Sequence, residues 1–143
     1  MGFFEDMRPL KGIAGELDWL LCGALSNLLL SGKLRGVLGD VALLTSRGKV
    51  PAPKIFMIGL GPMRKLSSET LQYAARTAVT TALSAGIVNL VLEYFPSTAI
   101  PYNEGIVALR RGMQAGSQGR MCEISLLAQN TVVYDNLSRF TEA

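Results

Sequence analysis

The densest set of residues that could do chemistry lies near the middle of the chain. There Gly59-Leu60-Gly61 is followed by Arg64, Lys65, Ser67 and Ser68. Glycines at the end of a strand, ahead of a helix N-terminus, are where α/β proteins hold phosphate groups on backbone amides. Arg64, Lys65 and the amides after Ser67 would hold the anionic part of a ligand. A dinucleotide fingerprint needs a third glycine at position 64, which is arginine, and a P-loop needs Gly-Lys-Ser/Thr, which is absent. Pro62 also removes one amide donor. The competing structural reading is a tight turn that uses glycine for a positive φ. Ser67 and Ser68 read as a helix cap and not a nucleophile, because no base accompanies them.

Other chemistry is thinly represented. The chain has no histidine, which removes Ser-His-Asp and Cys-His arrangements and any His-containing zinc site. Its 11 acidic residues are scattered, with only Glu5-Asp6 adjacent, so no catalytic or metal-ligating set and no cofactor is expected. Cys22 and Cys122 are too few for a disulfide framework and read as small buried hydrophobes. The net charge of +3 comes from 14 basic and 11 acidic residues spread along the chain. With no basic stripe or aromatic interleaving, nucleic-acid binding is not expected.

The elements that must position these residues follow from periodicity. Residues 1–12 form an irregular lead-in. Leu17, Leu20, Leu21, Ala24, Leu25, Leu28 and Leu29 recur at helical spacing, so one helix is predicted over 13–30, stopped by Ser31-Gly32. Its second stripe, Trp19, Gly23, Ser26 and Leu30, could face a neighbouring subunit, though Trp19 also suits a core. A strand over 37–45, broken near Gly39-Asp40, and a second over 54–59 form a hairpin around the turn 46–53. Ser67 caps a helix running to Ala85, with Leu71, Ala74, Ala75, Ala78, Ala82 and Leu83 inward. Residues 87–94 are a continuous apolar strand, as expected when both faces are covered. Asn103 caps a helix to about Ala115, in which Ile106, Leu109 and Met113 face inward and Gly105 and Gly112 cost stability. Residues 121–128 are the last strand, and a closing helix spans 130–143 with Val133, Leu137 and Phe140. Tyr94, Tyr102 and Asn103 would share a crevice with the glycine turn if their strands are neighbours. The order implies an α/β fold, a three-layer α/β/α sandwich with a mixed sheet, in a single domain over residues 1–143.

Hydrophobic residues make up 49% of the chain and charged residues 17%, with a mean hydropathy of +0.30. So apolar a small chain hints at a buried subunit interface. No stretch reaches the length of a membrane span, and the acidic N-terminus is not a secretory signal, so a cytoplasmic location is expected.

Several markers line up in order: Glu5-Asp6, Arg8-Pro9-Leu10-Lys11-Gly12, Gly15, Asp18-Trp19, Gly23 with Leu25-Ser26, Gly32, Gly36, Gly39, Arg47-Gly48, and Ile58-Gly59-Leu60-Gly61 before an alanine-rich helix. Together they resemble the N-terminal domain of the cytosolic leucyl aminopeptidase family, the hexameric two-metal peptidases of family M17. The resemblance runs from about Phe4 to Ala128 and implies a macro-like α/β/α fold. The family's two-metal centre and its Asn-Thr-Asp-Ala-Glu-Gly-Arg segment belong to a C-terminal domain that these residues do not match, so no catalytic residue carries over. The chain is expected to be non-catalytic and to act in assembly or regulation, as a homo-oligomer or with a larger protein partner. The alternative is a macro-like module binding a nucleotide or an ADP-ribose type ligand.

Overall fold

The computed structural model describes residues 1–94, 99–128 and 131–133. The chain divides into two compact units, Met1–Lys65 and Leu66–Ala143.

The first unit is built on a three-stranded mixed sheet. Strands β1 (Gly2–Phe3), β2 (Val41–Thr45) and β3 (Lys54–Gly59) lie in the order β1-β3-β2. β1 runs parallel to β3, and β2 antiparallel to it in an unbroken register from Val41 opposite Ile58 to Thr45 opposite Lys54. The hairpin forms as predicted, but its first strand begins at Val41 and not at residue 37, because Val37–Asp40 make a turn closed by the Asp40 amide on the Val37 carbonyl. The lead-in is not wholly irregular, because Gly2 and Phe3 pair with Ile58 and Gly59. Met57 is fully buried among Phe3, Ala14, Leu17, Leu21, Leu25, Leu34 and Ile55, which form the core of this unit.

Between β1 and β2 the predicted single helix is two, α1 (Gly12–Leu20) and α2 (Ala24–Leu30), whose axes differ by 106°. The break has a local cause. Cys22 and Gly23 take φ of +55° and +81°, outside the helical region. Asp18 then caps the second helix, its Oδ1 accepting from the amides of Leu25 at 2.9 Å and Ser26 at 3.0 Å and its Oδ2 from the Ser26 hydroxyl. A continuous apolar stripe does not reveal such a break, because the leucines on both sides of the elbow face one core.

The second unit combines two helices packed on each other with another mixed sheet. Helix α3 (Ser68–Ser84) precedes strand β4 (Asn89–Tyr94). Helix α4 (Tyr102–Ser117) then leads to β5 (Glu123–Ala128) and β6 (Thr131–Val133). β4 and β5 are parallel, joined through α4 in a βαβ unit, and β6 returns antiparallel to β5. The predicted closing helix is therefore replaced at Thr131–Val133 by a strand; its remaining residues lie outside the described part. Ser67 caps α3 as expected, its Oγ accepting from the Thr70 amide at 3.2 Å. All six inward residues predicted for α3 are buried, and Val79 joins them. Strand β4 departs from expectation on one side. Val88 and Val91 are exposed, so the apolar run does not reflect burial on both faces.

The predicted cost of Gly105 and Gly112 also needs correction, because the glycines of α4 are packing devices. Ala108, Gly112 and Gly116 recur every fourth residue on the face that meets α3. A Cβ on Gly112 would lie 2.2 Å from the Gln72 carbonyl oxygen, and one on Gly116 would lie 2.7 Å from that of Arg76. Small residues on both helices, with Ala75 and Val79 opposite, let the backbones touch. Met113 and Leu109 are buried at the same helix surface, while Ile106 is only partly so.

Candidate functional site

The glycine turn closes the C-terminal end of β3, and the amides of Gly59, Leu60, Gly61, Met63 and Lys65 each have a partner within the protein. Gly59 donates to the Asp40 carbonyl at 2.8 Å, Leu60 to Phe3 at 2.9 Å, and Gly61 to Gly36 at 2.8 Å. The Met63 amide donates to Asp6 Oδ1 at 3.0 Å, and Lys65 to the Pro62 carbonyl at 3.0 Å. Pro62 has no donor to give. A phosphate cradle needs amides that point at the ligand; here those donors knit β1, β3 and the loop before β2 together.

The two glycines serve different ends. Gly61 takes φ +74°, the conformation foreseen for a tight turn. Gly59 is required by proximity, since a Cβ there would sit 2.1 Å from the Val37 carbonyl oxygen. A third glycine completes the knot. Gly36, at φ +87°, receives the Gly61 amide on its carbonyl, and a Cβ on it would lie 2.9 Å from the Glu5 backbone. Its backbone partners, Glu5 and Gly61, are distant in sequence, so only its place among the family markers singled it out.

Leu60 is buried, whereas Arg64 and Lys65 are exposed on a short 3-10 turn, Met63–Lys65. Ser67 and Ser68 belong to the second unit. There Ser68 Oγ donates to Glu104 Oε1 at 2.7 Å, tying the first turn of α3 to that of α4. Tyr94 and Tyr102 also lie in that unit, ring edge to ring face, with centroids 5.3 Å apart. Burial pushes the Tyr94 phenol above its ordinary pKa, and the neighbouring Tyr102 adds to the rise.

The elbow between α1 and α2 carries the other predicted residues. Trp19 is 81% exposed and Leu30 85% exposed, so Trp19 is a surface side chain and not part of the core. Gly15, Glu16 and Leu20 line a shallow depression beside Trp19. The 106° break between α1 and α2 divides the predicted stripe, and Gly23 and Ser26 shape the elbow and the Asp18 cap. Cys22 is exposed at the same elbow, contrary to the buried reading, while Cys122 is buried as expected. Burial pushes the Cys122 thiol above its ordinary pKa, against a smaller opposing pull from Arg120. Among the described residues, no group of three or more Cys, Asp or Glu side chains is placed to hold a metal ion, and no single helix is long and apolar enough to cross a membrane.

Known proteins resemble this chain along most of its length. A probable cytosol aminopeptidase of Cyanothece is 39% identical over 85 residues, covering 59% of this chain and 17% of that protein. One from Geobacter sulfurreducens is 27% identical over 116 residues, covering 81% of this chain and 23% of that protein. The chain thus spans about a fifth of the length of such relatives. A variant of tomato leucine aminopeptidase superposes with a TM-score of 0.61 at 19% identity, covering 80% of this chain and 24% of that one. That likeness shows the α/β fold class with mixed strands that the sequence implied. Residues 1–117 match the N-terminal domain of the cytosol aminopeptidase family, and it is to this family, through that domain, that the chain belongs.

Proposed function

We propose that this chain is a non-catalytic domain that works through protein contacts, by self-association or by joining a larger partner, in the cytoplasm. The observation that carries the reading is the exposure of two large apolar side chains, Trp19 near the end of α1 and Leu30 at the last residue of α2. A tryptophan left in water forgoes burial of about 150–250 Å² of surface, and aromatic residues are enriched at interface cores. Two further facts support it. The family match covers the N-terminal domain, which is not the peptidase domain, and the glycine turn spends its amides on the protein itself.

Native mass spectrometry and size-exclusion chromatography of the purified chain test the proposal. A discrete oligomer without added mass is expected, weakened by Trp19→Ser together with Leu30→Ser. A monomer throughout the micromolar range that recovers no partner would overturn it. So would a monomer carrying a small-molecule adduct that is lost in Arg64→Ala/Lys65→Ala. That result would establish the glycine turn as a ligand site.

A further inference from the structure

The outer edge of β2 has the properties of a strand made to be paired. β2 is terminal in the order β1-β3-β2, and among the described residues no backbone hydrogen bond other than those of the β3 ladder reaches Val41–Thr45. The phase of the ladder follows from its two ends. The Asp40 carbonyl accepts from Gly59, and the Ser46 amide donates to the Pro53 carbonyl, so the even-numbered residues face β3. The amides and carbonyls of Val41, Leu43 and Thr45 therefore point away from the sheet. Their side chains are exposed too, Val41 at 40% and Leu43 at 52%.

Soluble proteins guard such edges with a lysine, a proline, a bulge or an inward charge. Val41-Ala42-Leu43-Leu44-Thr45 carries none of these, and its register with β3 is unbroken. An unguarded neutral edge is a template for another strand.

We infer that this edge pairs with the same edge of a second copy, antiparallel about a two-fold axis at Leu43. The inference rests on the self-association proposed above and gives it a surface other than Trp19 and Leu30. Geometry selects the register. Only a pairing of Leu43 with Leu43, and of Val41 with Thr45, uses the outward groups of all three residues in both copies. A shift by one residue would set outward groups against inward ones, and a shift by two would leave a residue unpaired. Charge selects the direction. The hairpin end of β2 is basic, with Arg47, Lys49 and Lys54, while Asp40 stands at the other end. An antiparallel pair sets each basic end beside the partner's acid and holds the two basic ends apart; a parallel pair would bring them together.

Cysteine cross-linking of the full chain tests this, in a Cys22→Ser background that removes the exposed thiol. Directly opposed residues of a hydrogen-bonded antiparallel pair have Cα atoms about 5.5 Å apart, inside the roughly 4.4–6.8 Å range of a disulfide. Leu43→Cys should therefore give a covalent dimer under mild oxidation. Val41→Cys, whose two copies would lie about 13 Å apart along the ladder, should not. Leu43→Lys, which sets two ammonium groups across the axis, should dissolve the dimer while leaving the circular dichroism spectrum unchanged. A native oligomer that cross-links no better at residue 43 than at residue 41, or that survives Leu43→Lys, would overturn the edge inference and leave the assembly reading standing. A chain that is monomeric throughout would remove both.

Discussion

Replacing Gly112 by alanine should destabilise the protein, although the same change in an ordinary helix stabilises it. Helix propensity alone favours alanine over glycine by about 1 kcal/mol. Gly112, however, faces the backbone of α3, where the new Cβ would lie 2.2 Å from the Gln72 carbonyl oxygen and 2.8 Å from the Ala75 Cβ. Ordinary contact begins near 3.4 Å, so relief requires 3.4 − 2.2 = 1.2 Å of separation. The obstacle is a main-chain oxygen in mid-helix, which cannot swing aside as a side chain would. The two helices must part instead, and a gap of about 0.5–1 Å already forfeits a quarter to a half of the dispersion energy across a packed surface. Overpacking of this kind costs about 1–3 kcal/mol, and more where the backbone itself is struck. Because the struck atom is backbone, the upper end of that range applies, and about 3 kcal/mol less the propensity gain of about 1 leaves a net loss of about 2 kcal/mol. Urea denaturation followed by circular dichroism measures it, as a lower midpoint at unchanged slope. Ala115→Gly, at an exposed position of the same helix, provides the reference, with a loss of about 1 kcal/mol from propensity alone. A Gly112→Ala protein as stable as the parent or more so would refute the argument that α3 and α4 touch through their backbones.

Two further expectations follow from local geometry. Asp18→Ala should lower stability by about 1–2 kcal/mol, because the carboxylate accepts from two amides of α2 and one hydroxyl, and an unchanged melting temperature would deny it the capping role. The two thiols should separate under a thiol reagent, with exposed Cys22 reacting at once and buried Cys122 slowly. Since the Cys122 pKa is raised, its reactivity should climb only at a pH above the range of an ordinary thiol; equal rates at neutral pH would contradict this.

Much of the architecture was legible in the sequence because it depends on local chemistry. Ser67 caps α3 from within its own first turn. The alternation of α3 between small apolar and polar residues marks its buried face without reference to any partner. The β2–β3 hairpin follows from two apolar runs and an intervening turn rich in glycine and proline. The absence of histidine and the scatter of carboxylates restrict the chemistry before any coordinates are known. The ordered glycine, proline and acidic markers carried the family likeness.

The tertiary structure decided what depends on residues far apart in the chain. Composition alone cannot tell a glycine that frees a dihedral from one that admits a neighbour. Gly59 is glycine because the Val37 carbonyl lies against it, and Gly112 because Gln72 does, more than twenty residues away in each case. A run of leucines at helical spacing does not show that Asp18 will turn back to cap a second helix, because the competing bonds differ by only a few kcal/mol. Nor does an indole declare whether it will be buried; Trp19 is exposed because α1 turns its other face, Ala14 and Leu17, toward the sheet. Local free energies of capping, alternation and turn chemistry are written in neighbouring residues, whereas close approach and exposure exist only once distant segments meet.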